Sequence, residues 1–373
     1  MSQRLSVITA FLLATAISGG GNAAAASHRP RHHKNLRIVM VDVEGGAAIL
    51  FVTPNGKSLL IDTGWPPGIG GPRSTAGAPP PPPSADRIAA AAASLGVKRI
   101  DYLLMTHYHV DHVGGVPSLL AKLPADTFID HGPNRQISPP NATARELAFA
   151  PATWYPRWVA AYKGHRHISA HVGQKLTIGS LHLQFVAGDG NVLDAPLPGA
   201  GQSNPYCEGV PQKDVTGGEE NVRSLGRLIT FGNTRILDLG DLTWNKEMQL
   251  LCPVNKVGKV DLYFVTGHGM NLSSSPPTAA FSPIVALMQN GPYKGGDAEV
   301  IKTVESYPGL QGFWREHYSV RYPELNGDPN YIANLNTQPD RGYSIRVDIT
   351  RGGLITVTNK RNHFSRTYQA RGQ

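Results

Sequence analysis

Four side chains able to hold a metal ion fall within six residues of this chain. They are His107, His109, Asp111 and His112, in the run Thr106-His107-Tyr108-His109-Val110-Asp111-His112-Val113-Gly114-Gly115. Imidazole nitrogen and carboxylate oxygen are donors that zinc and related divalent ions accept. The apolar Tyr102-Leu103-Leu104-Met105 leading into the run reads as a buried strand. Val116 to Leu123 beyond the two glycines reads as a helix with Pro117 in its first turn. The donors therefore sit at the carboxyl end of a strand, where open α/β sheets hold their sites. In an extended segment His107, His109 and Asp111 project to one side, and His112 turns toward a second position. That arrangement suits two adjacent ions better than one.

The strand candidates Arg235–Leu239 and Val260–Val265 also end in donors, at Gly240-Asp241 and at Thr266-Gly267-His268-Gly269. Asp241 is placed to bridge two ions about 3.5–4 Å apart, the separation of two-metal hydrolases. A bridging water would lose its proton near neutral pH and attack an electrophilic centre, so no serine or cysteine nucleophile is needed. Asp62 closes the strand candidate Ser58–Ile61 just before Gly64. It either orients a ligand histidine or caps a turn.

His107-Tyr108-His109-Val110-Asp111-His112 resembles the His-x-His-x-Asp-His signature of the metallo-β-lactamase superfamily. Asp62-Thr63-Gly64, Gly240-Asp241 and Gly267-His268-Gly269 follow in that superfamily's order across residues 36 to 300. Asp42-Val43-Glu44-Gly45-Gly46-Ala47-Ala48 is similar to the Asp-Val-Gly-Gln-Gly-Asp-Ala stretch of ComEC-type DNA-uptake proteins, as is Asn221-Val222-Arg223-Ser224-Leu225 to a segment of that subgroup. The resemblance implies an α/β fold, an αββα sandwich of two mixed sheets flanked by helices, with metals at one edge. It implies that His107 and His109 hold a first ion, that Asp111, His112 and His268 hold a second, and that Asp241 bridges. Asp111 and Asp241 are then the catalytic candidates, Asp111 steering a proton toward the leaving group. Two Zn2+ ions are implied, with Mn2+ the alternative. One element departs: many members supply a third histidine to the first ion, and none lies between Val186 and Leu225 here. Asp189, Glu220, Asn221 or water would substitute, and His131 is a remote contributor. ComEC-type proteins also carry a membrane channel region that this chain lacks.

The 373 residues suffice for one large domain, with 40% hydrophobic content and Gly 41 and Pro 30 implying long loops. The formal charge of +8 gathers near the ends, without the basic stripe and interleaved aromatics of a nucleic-acid groove. Nucleic acid stays a candidate partner beside a small molecule or phosphoester. Residues 1–26 read as a secretory signal: Arg4, the apolar Leu5–Ile17, then small residues at Ala23–Ala26. That apolar run is too short to span a membrane, and no other segment qualifies. The expectation is export to a periplasm or beyond. Cys207 and Cys252 either pair in that compartment or remain two thiols.

A polar leader (27–35) precedes a hydrolase domain (36–373) with insertions near 65–84 and 189–218. Pro151 and Pro156 are expected to break the helical stretch Asn141–Lys163, and Asn55-Gly56 signals a hairpin. Tyr343–Ile349 and Leu354–Thr358 close the fold before a basic tail. Asn290 and Lys294, past the apolar Ile284–Met288, either bind an anionic group or are solvated surface. The reading that results is an exported metal-dependent hydrolase acting on phosphoesters or phosphodiesters. A β-lactam or lactone hydrolase and a non-catalytic metal-binding accessory protein are the alternatives.

Overall fold

The computed structural model describes residues 34–70, 81–213, 218–335 and 341–372. The expected signal segment, most of the polar leader and residues 71–80 of the proline-rich insertion lie outside the described residues. Seventeen strands make two large sheets: β1 Leu36–Met40, β2 Ile49–Val52, β3 Ser58–Ile61, β4 Ile100–Leu104, β5 Ala125–Asp130, β6 Arg166–Ser169, β7 Lys175–Ile178, β8 Leu181–Phe185, β9 Arg227–Phe231, β10 Thr234–Asp238, β11 Leu262–Phe264, β12 Val285–Met288, β13 Gly312–His317, β14 Ile332–Asn334, β15 Ile345–Ile349, β16 Leu354–Asn359 and β17 Ser365–Gln369. The helices are α1 Ser84–Ser94, α2 Val110–Val113, α3 Val116–Leu120, α4 Ala144–Phe149, α5 Pro151–Tyr162, α6 Gly218–Asn221, α7 Trp244–Leu251 and α8 Ala298–Glu305.

One sheet has nine strands in the order β17-β16-β15-β1-β2-β3-β4-β5-β6, the other eight in the order β14-β13-β12-β11-β10-β9-β8-β7. Apolar residues alternate between two buried faces. Leu36, Ile38 and Met40 of β1 enter the core between the sheets, together with Phe185, Phe264 and Trp314. Val39, Val41 and Val43 face a layer of α1, α2, α3 and α5. The opposite sheet packs Leu237, Tyr263 and Met288 against Leu250, Leu251, Val300 and Ile301 of α7 and α8. Strands buried on both faces read as near-continuous apolar runs, which is why the central ones were legible. The result is the expected αββα sandwich.

Pairs β3–β4 and β10–β11 are parallel, so their carboxyl ends deliver Asp62, the His107 run, Asp241 and His268 to one edge. Among the described residues no helix is long and apolar enough to cross a membrane.

Three local expectations are corrected. Pro156 does not break α5 but sits within it. It faces solvent along with Ala152, so the carbonyl that loses a partner meets water, while buried Trp154 and Trp158 hold the helix. The helix after the motif ends at Leu120 rather than Leu123. The basic tail is strand β17, whose Tyr368 is buried and accepts a hydrogen bond from Trp314 Nε1 at 3.1 Å. Arg371 beyond it donates to Val260 O at 2.9 Å and Ser282 O at 2.6 Å. Basic residues masked the alternation there.

Candidate metal centre

The chain leaves extended geometry at His109 (φ −65°, ψ 148°) and turns into α2 at Val110. Asp111 therefore reaches the site from a helical turn, not from the extended segment the spacing suggested. Gly114 and Gly115 allow the close approach of α2 and α3 to the preceding loop. A Cβ on Gly115 would lie 2.1 Å from Thr63 O, and one on Gly114 would lie 2.3 Å from Pro66 Cδ. Thr63 N and Oγ1 both donate to His112 O, at 2.7 and 2.8 Å, which locks the turn to the end of β3.

Four donors converge. His112 Nε2 lies 3.1 Å from His268 Nε2, 3.4 Å from Asp241 Oδ1 and 3.5 Å from Asp111 Oδ2. His268 Nε2 is 3.3 Å from both carboxylate oxygens. All four residues are buried. The other ring nitrogens settle the tautomers. His268 Nδ1 is 3.0 Å from Gln289 O, a backbone carbonyl that can only accept, so Nδ1 carries the proton. His112 Nδ1 is 2.8 Å from Asp62 Oδ2, which is itself fixed by Thr106 Oγ1 at 2.8 Å. In their neutral forms both imidazoles thus turn Nε2 lone pairs toward each other and toward two carboxylates. Four Lewis bases facing one another without a shared proton fit a divalent cation.

The two carboxylates favour positive charge in this cluster, on the imidazoles when no ion is bound and on an ion in their place. Burial opposes charge on Asp111, yet Lys294, His112 and His268 hold its carboxyl well below the usual range. Burial opposes charge on Asp241 too, and His268 and His112 hold it equally low. His112 and His268 are depressed by burial but raised overall, chiefly by Asp241. Asp62 (φ 58°) and His268 (φ 57°) both adopt left-handed backbone, a conformation costly for non-glycine residues that the surrounding hydrogen bonds enforce.

His107 and His109 form a second pair. His107 Nε2 lies 3.0 Å from His109 Nδ1, and His107 Nδ1 lies 3.0 Å from Thr106 Oγ1. Burial, His112 and His109 push His107 well below the ordinary histidine value, and burial lowers His109 as well. Both rings are neutral near pH 7 and able to offer lone pairs. The rings of His107 and His112 are 4.0 Å apart centroid to centroid, so the two groups share one cleft.

The remaining candidates separate. Asp189 Oδ1 accepts from Arg223 Nη1 at 2.5 Å, and its other oxygen from Arg135 Nη2 at 3.4 Å. Glu220 Oε2 accepts from Tyr108 N at 3.2 Å and from His131 Nε2 at 3.1 Å. His131 packs at a tilt against Tyr108, whose hydroxyl donates to Gly132 O; its Nε2 is taken by Glu220, and its Nδ1 has no partner among the described residues. Asn221 is buried, with Oδ1 unpartnered among the described residues. Asn290 is not a free anion ligand: its amide donates to His317 O at 2.8 Å and its oxygen accepts from His317 N at 3.3 Å. Lys294 Nζ reaches Asp111 Oδ2 and donates to Gly45 O at 2.7 Å. Cys207 and Cys252 form a disulfide.

Sequence reasoning missed Thr106, Gln289 and a separate buried group, Asp42, Glu44 and His317. Thr106 stands beside the signature and Gln289 ends an apolar strand, so position alone could have raised them. The third group joins residues 275 positions apart in the chain, and no local spacing signals it.

Residues 41–193 match the model of the metallo-beta-lactamase superfamily. No curated protein compared with the chain matches it. Among solved structures, the metallo-beta-lactamase fold protein YhfI from Bacillus subtilis is 12% identical, with 76% of this chain and 96% of that one covered and a TM-score of 0.41. CmlA, a diiron beta-hydroxylase from Streptomyces venezuelae, is 13% identical over 75% of this chain and 52% of its own, TM-score 0.40. A metallo-beta-lactamase from Cronobacter sakazakii is 18% identical over 60% and 75%, TM-score 0.33. The family match, rather than these likenesses, carries weight: residues 41–193, with the His107–His112 signature inside them, are similar to the metallo-beta-lactamase superfamily.

Proposed function

We propose that the protein is an exported, metal-dependent hydrolase of phosphoester or phosphodiester bonds, loaded with two zinc ions or with manganese. The observation that carries this reading is the convergence of Asp111 Oδ2, His112 Nε2, Asp241 Oδ1 and His268 Nε2 beside the His107–His109 pair. When bound, the ions supply a water acidified to near neutrality and positive charge for the leaving oxygen. The chain's own groups do the rest. Asp62 and Gln289 O hold His112 and His268 in the tautomers that present Nε2. Asp111 Oδ2, with Lys294 against it, is the group placed to pass a proton toward a leaving oxygen.

Support for phosphoesters comes from the likeness of residues 42–48 and 221–225 to ComEC-type segments, and from the formal charge of +8. Export is supported by the signal-like residues 1–26 and by the Cys207–Cys252 bond, which persists in oxidising compartments. The test is turnover of bis-nitrophenyl phosphate and of a chromogenic lactam by zinc- or manganese-loaded protein. Cleavage of the phosphodiester supports the proposal, and cleavage of the lactam alone moves the substrate class. Full metal occupancy with neither reaction, across a broad panel, favours a non-catalytic metal-binding role.

A further inference from the structure

The His107–His109 pair offers an ion two nitrogens and no third protein donor of the kind the signature leads one to expect. Three acidic or imidazole groups near it are already committed. Asp189 is held by Arg223 and Arg135. Glu220 takes the Tyr108 amide, His131 and, at 3.4 Å, the Arg135 amide. His131 Nε2 is taken by Glu220. Two buried atoms beside them have no partner among the described residues, His131 Nδ1 and Asn221 Oδ1, and only the second lies on the turn that crosses the signature. Asn221 is only 5% exposed, and its Oδ1 has no hydrogen-bond partner among the described residues. An orphaned buried amide oxygen calls for a physical reason.

The position of Asn221 supplies one. The turn that carries it is fastened across the signature at both ends. On one side Tyr108 N donates to Glu220 Oε2 at 3.2 Å, and on the other Leu225 N donates to Thr106 O at 2.9 Å. Between those two fixings on the turn lies Asn221, and between their two partners on the signature lies His107. Ser224 Oγ of the same turn accepts from Asp241 N at 3.2 Å, tying it to the remaining carboxylate of the centre.

We propose that Asn221 Oδ1 is the third protein ligand of an ion held by His107 Nε2 and His109 Nδ1. The inference rests on the reading of that histidine pair as metal ligands. An amide oxygen is neutral and harder than imidazole, so this half of the centre binds its ion more weakly than the half with Asp111, and accepts manganese more readily than a three-histidine site.

The test uses chelated, refilled full-length protein and zinc alone, with stoichiometry and affinity read by calorimetry and melting temperature read with and without metal. The reference variant is His109→Ala. If wild type binds two ions and His109→Ala one, Asn221→Ala is expected to weaken that same ion by at least about 10-fold, in the range seen when metal-site partners are lost. Asn221→Asp is expected to bind it more tightly than wild type while lowering the melting temperature without metal, because a carboxylate is then buried beside Glu220. A purely structural amide would not produce that opposed pair of shifts. Unchanged affinity in Asn221→Ala overturns the proposal and leaves the histidine pair standing. Should Asn221→Ala fail to fold, Asn221→Asp decides, and affinity no tighter than wild type overturns it. Wild-type stoichiometry in His109→Ala overturns the histidine pair and the proposal together.

Discussion

Two buried clusters in this molecule are built from the same residue types and are wired differently. Asp111, His112, Asp241 and His268 form one; Asp42, Glu44 and His317 form the other. In the second, Arg87 Nη1 lies 2.5 Å from Asp42 Oδ2 and 3.1 Å from Glu44 Oε1. The other Asp42 oxygen takes His317 Nε2 at 2.7 Å and Glu44 N at 2.8 Å, and Asn334 Nδ2 reaches Oδ2 at 3.2 Å. A fixed guanidinium bridges the two carboxylates and offsets part of their charge, and both Asp42 oxygens are occupied. In the first cluster no arginine among the described residues intervenes. Its carboxylates face imidazole Nε2 atoms, and the one lysine, Lys294, touches Asp111 from the half-exposed rim. Residue type does not distinguish a site from a bolt; the presence of a built-in cation does. The bolt holds the loop Asp42–Gly46, whose Gly45 carbonyl in turn takes Lys294.

Arg87→Ala should break this contrast most severely. It leaves Asp42 and Glu44 buried without their cation, and uncompensated buried ion pairs cost about 3–5 kcal/mol. Denaturant unfolding should show that loss, while metal content of the folded fraction stays at the wild-type value. Metal loss equal to that of a ligand variant would mean the two clusters are one functional unit.

Glu247 on α7 shows a third way to bury a carboxyl, with neither ion nor guanidinium. Its oxygens accept from Ser274 N at 3.0 Å and Ser275 N at 2.7 Å, yet burial lifts its pKa from 4.5 to about 7. The folded protein therefore holds a proton that the unfolded chain releases. Stability from this group is complete below pH 4.5 and is lost as pH rises through about 7, by roughly 3 kcal/mol in all. Stability measured across that window in chelated protein should fall with pH in wild type. In Glu247→Gln the slope from this group should vanish, with a loss of about 1 kcal/mol for the backbone donor that glutamine cannot satisfy. An unchanged slope would refute it.

Much of the sandwich was legible because its central strands are buried on both faces and carry no polar interruptions. The donors were legible because they cluster at strand ends. What escaped has physical reasons. β17 was hidden by Arg366 and Arg371, which reach across the surface while Tyr368 alone faces the core. α2 was read as extended, because four residues are too few to show a helical period and the packing of Gly115 on Thr63 is a tertiary fact. Asn290 looked like a ligand from its place after a strand, and only the long-range bond to His317 shows that it is already engaged.

Asp241→Ala tests the metal cluster from within. Asp241 is the carboxylate within 3.4 Å of both His112 and His268, so its loss should weaken zinc binding by about 100-fold, near 2.7 kcal/mol. Turnover of any accepted substrate should fall with it. Melting of the metal-free protein should fall less than in Arg87→Ala, since Asp111 remains to offset His112 and His268. A large drop in metal-free stability would instead make this cluster a bolt like the other.

The smallest effect sharpens the role of the rim lysine. Lys294 sits against Asp111 and repels any cation arriving there, yet it is 30% exposed and partly screened by solvent. Lys294→Met removes that repulsion, worth roughly 1 kcal/mol, and should tighten zinc binding about 5-fold. Substrate behaviour should move the other way. If the lysine also meets an anionic phosphoester, KM for bis-nitrophenyl phosphate rises in Lys294→Met, and the rise shrinks with added salt. Weaker zinc binding in Lys294→Met would show instead that the lysine positions Asp111 as a ligand, through its hold on Gly45, more than it competes with the ion for that carboxylate.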